Sequence, residues 1–434
     1  MKGIYLGNNF DINYVAEFVE IKEFRPHSNP EVTKLKCCKV HGFNVITNVN
    51  SEPGIYIYFP VECCINKDFL RDNNLYRNSA LNKDRTTIGI FDDKGRVKAI
   101  KLKGEISEGF VIPVDSLSEY INNIELYSKK ITLFNMVNDM TLCEKYSPNK
   151  KKDLFKKDNI MKDQFHYHVN TIQLKRMPHM ITPDSLIQIS IKTNGSSGIS
   201  ANLKVKRPLH QSLFDKILKR KKYKEEYYTF FASRSMIQDS VLSEEVGEYS
   251  EDRKKIHNLL FKGIPKGLSV YYEILGYWSN GTPIQGKWDY GFTKPESSNC
   301  WEYGKNFGVE VYRITYTNSD GIVHEFSARQ VRQYCRKVGW TPVEEVYYGY
   351  AKNLYPDIST QNDWNDTFLE RLSNDKNFYM EMSSPRCINK VPNEGIVIRN
   401  ETLNIEVYKI KCFNFLQKER EMLDSGEINI EDIS

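Results

Sequence analysis

The chain has no stretch of about 18 or more consecutive apolar residues, which excludes an ordinary membrane-spanning helix. Its beginning, Met1-Lys2-Gly3-Ile4-Tyr5, lacks the apolar centre and small-residue cleavage site of a secretory leader, so an intracellular protein is expected. No CxxC pair is followed by a second, so a structural zinc site is not expected. The nine cysteines, including the adjacent pairs Cys37-Cys38 and Cys63-Cys64, do not space out as a disulfide framework, and buried, reduced thiols are the expectation. Internal repeats with periods of about 20 to 50 residues are absent, as is any long disordered-type segment. Nor is one sign of charge in large excess. The 61 basic and 56 acidic side chains leave +5, so charge by itself says little about a phosphate-rich partner.

What is present suits packed cores: 40% apolar residues, with 27 Tyr and 22 Phe, in a 434-residue chain long enough for about two or three domains. Residues 1–118 read as short alternating runs broken by Gly, Pro, Asn and Asp. These are Leu35 to Val40, Phe43 to Thr47, Gly54 to Phe59, Val97 to Leu102 and Gly109 to Val114, a pattern for a small β barrel or sandwich. Residues 119–164 become polar and lysine-rich, with Lys150, Lys151, Lys152, Lys156, Lys157 and Lys162, and read as a solvated linker or a basic strap over nucleic acid. Residues 165–434 mix strands at Leu186 to Lys192, Tyr228 to Ser233, Leu268 to Leu275, Val309 to Tyr316, Gly395 to Arg399 and Ile405 to Phe413 with helices at Asp252 to Phe261 and Ala328 to Val338. That is an α+β arrangement around antiparallel sheets. The tail after Phe415, with Glu419, Glu421, Asp424, Glu427, Glu431 and Asp432, reads as a short helix followed by an acidic, solvated end.

Six places in the third region carry chemistry. In Ile191-Lys192-Thr193-Asn194-Gly195-Ser196-Ser197-Gly198 a strand ends in a lysine and turns through Asn-Gly. An amine held there can attack phosphorus if its surroundings keep it unprotonated. Alone, a lysine before a hairpin turn is more often simply solvated. Phe230-Phe231-Ala232-Ser233-Arg234 offers a planar guanidinium to a ribose or phosphate, or to a surface ion pair. Glu273 interrupts the apolar run Val270 to Leu275 and needs a partner, which a ribose hydroxyl, a cation or a salt bridge would supply. Tyr312 sits on a strand where a base can stack, although core packing is the commoner fate. Asn393-Glu394-Gly395 sets a carboxylate beside a glycine that permits close approach, a combination suited to magnesium or manganese. Lys409 and Lys411, two apart on a strand, share a face and can meet one triphosphate, or simply be solvated.

In this order the six elements resemble the motif series of covalent nucleotidyltransferases, the superfamily of DNA ligases, RNA ligases and mRNA capping enzymes, over about residues 165 to 415. The resemblance implies that Lys192 is the nucleophile that takes AMP from ATP. It implies ribose contacts from Arg234 and Glu273, a ring stacked on adenine from Tyr312, an acidic group near the metal from Glu394, and phosphate contacts from Lys409 and Lys411. Ser197 lies where some RNA ligases place a polar ribose contact. Many members have Asp where this chain has Asn194, so that side chain keeps a turn-forming role and loses a charge.

DNA ligases and capping enzymes carry an OB domain after the Lys-x-Lys strand, whereas this chain ends 23 residues beyond Lys411. The β-rich N-terminal segment is similar to the OB domain of the ATP-dependent RNA ligases typified by the Deinococcus nick-sealing enzyme. The likeness lies in His27-Ser28-Asn29-Pro30, Lys34-Leu35, Lys39-Val40-His41-Gly42-Phe43 and Arg96 to Pro113. It implies an OB-type barrel at 1–118, a linker at 119–164 and an ATP-grasp-like adenylyltransferase domain at 165–434. The activity implied is ATP-dependent RNA ligation with Mg2+ or Mn2+, on RNA ends or nicked RNA-containing duplexes, without a membrane or an obligate protein partner. The basic run Lys219-Arg220-Lys221-Lys222 is a further candidate for phosphate contacts. A DNA ligase, a GTP-dependent capping-type enzyme, and a nucleic-acid-binding protein with an inactive transferase domain are the alternatives.

Overall fold

The computed structural model describes residues 3–8, 10–147, 164–168, 171–208, 223–243, 246–402 and 404–425. The lysines from 150 to 162, the run Lys219 to Lys222, and Glu427, Glu431 and Asp432 lie outside the described residues. No helix among the described residues is long and apolar enough to cross a membrane.

The larger part of the chain builds two five-stranded sheets. One runs in the order Ile172–Gln173, Glu406–Lys411, Gly395–Asn400, Leu186–Ile191, Glu345–Tyr350, antiparallel except for the first pair. The other runs Tyr223–Ser233, Ser196–Pro208, Leu268–Gly276, Phe307–Thr317, Val323–Glu325, antiparallel throughout. Side chains alternate between the faces of a strand, and here the alternation sorts core from chemistry. Ile187, Ile189 and Ile191 pack into the core of the first sheet with Ile396, Ile398, Tyr408 and Ile410. Gln188, Ser190, Lys192, Val397, Arg399 and Lys409 face a cavity. In the second sheet Tyr272, Ile274, Val309 and Val311 are core, while Glu273 and Tyr312 reach the same cavity.

Ser196–Pro208, a central strand of thirteen residues, is not expected from its polar sequence. Partners on both sides override weak strand propensity, and Gly198 leaves room for the Tyr272 ring, which a Cβ would meet at 2.3 Å. The turn after Lys192 is not a hairpin. Leu186–Ile191 and Ser196–Pro208 belong to different sheets, so Lys192 to Gly195 carries the chain from one sheet to the other. The helix Ala328–Val338 lies where periodicity places it, because Ser327 and Gln330 form a reciprocal cap at its start and Gly339, at φ 78°, ends it.

The N-terminal part is a set of small antiparallel sheets. The order Gly109–Pro113, Gly54–Pro60, Ala16–Ile21, Leu133–Phe134 forms one; Arg25–Pro26, Leu35–Val40, Phe43–Asn48 forms another. Val19, Ile21, Cys38, Val40, Phe43, Val45, Tyr56, Tyr58 and Val111 make a shared core between them. Among the described residues the two ladders remain separate sheets and do not close into a barrel. They are stitched at the edge by the Glu108 N–H donating to Asn44 O at 2.7 Å and the Ile46 N–H donating to Ser107 Oγ at 3.0 Å. A second core takes Ile124, Phe134, Val137, Leu142 and Cys143 from the stretch read as the start of a linker.

The two parts are joined by buried polar contacts. Arg176, 4% exposed, donates to Ile12 O at 2.7 Å and Val15 O at 3.2 Å and pairs with Glu17 at 3.2 Å. Lys175 pairs with Glu108 at 2.8 Å. At the other end the helix Phe413–Asp424 is held by Arg96 and Lys98, 3.2 and 3.3 Å from Asp424, and by Arg420 donating to Ala99 O at 2.7 Å.

Candidate active site

Between the two sheets lies a cavity of about 400 Å³, within the range of roughly 300–1,000 Å³ usual for small-molecule sites. Lys192, Ser197, Arg234, Glu273, Tyr312 and Lys409 all line it, although they come from separate strands or, for Lys192 and Arg234, from just past the end of one. Glu394 and Lys411 join through Lys192. The Lys192 ammonium lies 2.7 Å from Glu394 Oε1, and Lys411 lies 3.8 Å from the same oxygen and 3.5 Å from Glu419. Glu394, immediately before the strand Gly395–Asn400, is buried, and so is Lys411.

The Lys192 turn is fixed at each residue. Lys192 N–H donates to Gly395 O at 2.9 Å. Thr193 Oγ1 donates to Glu310 at 3.1 Å and accepts from Arg386 at 2.8 Å, while Arg386 grips Glu310 with both nitrogens. The Asn194 N–H donates to the Tyr290 hydroxyl at 3.0 Å. Gly195 packs so close to the next strand that a Cβ would lie 2.6 Å from Ile274 O and 2.7 Å from Glu273 Cγ. Gly395 has φ +135° and a Cβ there would lie 2.0 Å from Ile410 O. These two contacts account for the glycines in the Lys-x-x-Gly and Glu-Gly patterns.

Electrostatically the cavity gathers cations. Burial, reinforced by Lys411, Lys192 and Arg234, drives the Lys409 ammonium well below its ordinary value, so an anion brought alongside would restore its charge. Burial, with Arg234, Lys192, Arg313 and Lys409 nearby, lowers His168 to about 3, which keeps its ring neutral beside Tyr312, 5.6 Å away centroid to centroid. Burial raises the Glu273 carboxyl from 4.5 to about 7, against the pull of Lys192 and of the Ser197 hydroxyl donating at 3.0 Å. An acid that holds its proton more tightly when folded adds stability that is complete below its unfolded pKa and lost as pH rises through its folded one. The ligand-free protein is therefore expected to lose on the order of 3 kcal/mol through Glu273 between about pH 4.5 and pH 8, and Glu273→Gln to lose none of it. Thermal unfolding of both proteins across that range checks this, and parallel curves would rule it out.

Sequence patterns do not single out His168, Arg386, Glu310 or the ladder Arg313–Glu325–Arg399–Glu401, whose pairs lie 2.7, 3.3 and 3.4 Å apart. The one available signal is Glu310, a carboxylate in the otherwise apolar run that leads to Tyr312.

The fold is similar to that of the Naegleria gruberi RNA ligase. One mutant of that enzyme with ATP and Mn matches with a TM-score of 0.53 and 14% identity, covering 95% of this chain and 100% of the other. Another mutant, with AMP and Mn, gives 0.55 at 13% identity over 94% and 99%. The same ligase with PPi gives 0.53 at 13% identity over 94% and 98%. No protein-family model matches the chain, and no curated protein does.

Proposed function

We propose that the protein is an ATP-dependent RNA ligase joining 3′-hydroxyl and 5′-phosphate ends through AMP carried on Lys192. The observation that carries this reading is the meeting of Lys192, Glu273, Tyr312, Arg234 and Lys409 in one cavity. The likeness of the fold, along almost the whole chain, to a ligase solved with ATP, AMP and PPi supports it. In the first step the Lys192 amine, having given up its proton, forms a bond to the α-phosphorus of ATP as the bond to the β-phosphate oxygen breaks and pyrophosphate leaves. Lys409 and Lys411 offset charge on the phosphates; Tyr312, with His168 beside it, holds the adenine; Arg234, Glu273 and Ser197 hold the ribose. A 5′-phosphate oxygen of RNA next takes AMP from Lys192. The 3′-hydroxyl then attacks the activated 5′-phosphorus and AMP departs.

Among the described residues no three acidic, imidazole or thiol groups gather to hold a metal unaided. Glu394 together with phosphate oxygens suits magnesium or manganese, which commonly binds through one or two carboxylates plus substrate phosphates. Such an ion would withdraw charge from the phosphates. The N-terminal part is read as an OB-type nucleic-acid module of the Deinococcus kind, preceding an adenylyltransferase domain at 165–434. The packing of Ile124, Phe134, Val137, Leu142 and Cys143 in its core supports an extent past residue 118.

A nicked RNA duplex with a 5′-phosphate at the nick, incubated with protein, ATP and Mg2+ or Mn2+, is expected to be sealed. GTP is expected not to replace ATP. Sealing confined to DNA nicks would make it a DNA ligase, transfer of GMP a capping-type enzyme, and tight binding without joining a binding protein.

A further inference from the structure

We propose that the helix Ala328–Val338 and the strand Glu345–Tyr350 form a docking surface for an RNA strand at the mouth of the cavity. This proposal rests on the ligase reading. The helix buries Ala328, Val331 and Cys335, the last two in the core of the second sheet. Arg329, Arg332 and Arg336, spaced three and four apart, stand together on another face. Arg329 and Arg336 are exposed, and among the described residues no carboxylate pairs with either. Arg332 is partly neutralised by Glu345.

The strand next to this helix is the edge of its sheet. Tyr348 holds the Arg329 guanidinium 4.5 Å and the Arg332 guanidinium 5.4 Å from its ring centre. A guanidinium resting on an aromatic ring keeps its donors pre-aimed at an anion. Tyr350 is 48% exposed and offers a stacking surface; the Lys352 ammonium 5.8 Å from its ring is paired with Asp184 at 2.7 Å.

The surface is continuous with the site. Tyr348 lies directly opposite Gln188, which lines the cavity two strand positions before Ser190 and four before Lys192. Its hydroxyl donates to Glu401 at 3.2 Å, and Glu401 pairs with Arg399, which also lines the cavity. From Arg329 to Arg336 the helix advances ~10 Å, which matches the rise of about three stacked nucleotides. Repeated cations at that spacing, with the exposed apolar side chains Tyr350 and Val338 at the ends of the strand and helix rather than between the arginines, suit a phosphodiester backbone better than a protein interface, whose centre is normally apolar and poor in charge.

The test uses the full chain and a fluorescent nicked RNA duplex, with affinity read by anisotropy from about 50 to 200 mM salt. Arg329→Ala/Arg336→Ala is expected to bind roughly tenfold more weakly at low salt, with the log–log salt slope reduced by about 1.5, the loss of two phosphate contacts. Tyr350→Ala is expected to weaken binding by roughly fivefold or more while leaving the slope unchanged. All three proteins are expected to take up AMP from ATP at the same rate. Unchanged affinity and slope in the double variant would overturn the surface, as would parallel loss of AMP uptake. If the wild type binds the duplex through these residues but is never labelled by ATP, the ligase reading fails and the surface stands.

Discussion

Incubated with α-labelled ATP and magnesium or manganese, the protein is expected to acquire AMP on Lys192, and Lys192→Ala to acquire none. The expectation rests on position rather than on lysine count. Lys192 keeps 14% of its side chain exposed at the cavity, held by Glu394 on one side and backed by a turn whose three following residues are each fixed. Lys411 is buried between Glu394 and Glu419. Lys409 is 4% exposed in the cavity wall, and under the proposal it contacts phosphate rather than attacking phosphorus. Losing the proposed nucleophile should lower AMP transfer by at least about 10⁴-fold, beyond the roughly 10²–10³ attributable to any single stabilising contact. The variant should still fold, since Glu394 keeps Lys411 beside it. Peptide mapping of the labelled protein decides the matter, and AMP on Lys409 or Lys411 would sink the assignment.

The second large effect is expected from Glu394→Gln. Glu394 is 2% exposed and is the carboxylate between two ammonium groups, at 2.7 Å from Lys192 and 3.8 Å from Lys411. Neutralising it leaves those cations facing each other in a poorly solvated place, with Lys409 and Arg234 close by. Breaking a buried pair from one side typically costs about 3–5 kcal/mol. The lower end is expected, because Lys411 retains Glu419 at 3.5 Å. Denaturant unfolding should therefore show a loss of about 3 kcal/mol, and single-turnover AMP transfer should fall by roughly 10²-fold or more in conditions where the variant is folded. Transfer at the wild-type rate by the folded variant would remove Glu394 from the mechanism.

Much of this site is legible in the sequence because strand alternation exposes its own exceptions. Glu273 stands out in an apolar run, and Lys409 and Lys411 share a parity that Tyr408 and Ile410 do not, as the core confirms. The helix Ala328–Val338 is legible from its caps and period. Other features depend on contacts distant in sequence. Ser196–Pro208 looks polar, and only its two flanking strands make it central. Arg386 reaches Thr193 across 193 positions, and nothing local distinguishes it from an ordinary surface arginine. Glu345–Tyr350 is an edge strand of half-exposed tyrosines, so it lacks the clean in-and-out alternation by which strands are recognised.

The seam joining the N-terminal part to the rest bears on how the chain can be taken apart. Arg176 lies on one side of that seam while Ile12, Val15 and Glu17, which satisfy it, lie on the other. Asp424, Arg96 and Lys98 repeat the arrangement at the far end of the chain. Parting the two sides of a chain cut between residues 147 and 164 would exchange the acceptors of Arg176 for water, while Glu17 would keep His41 at 2.8 Å. Each part has cores of its own, so the seam is expected to hold the two together after such a cut, and any exchange of the N-terminal portion for another would have to supply acceptors for Arg176.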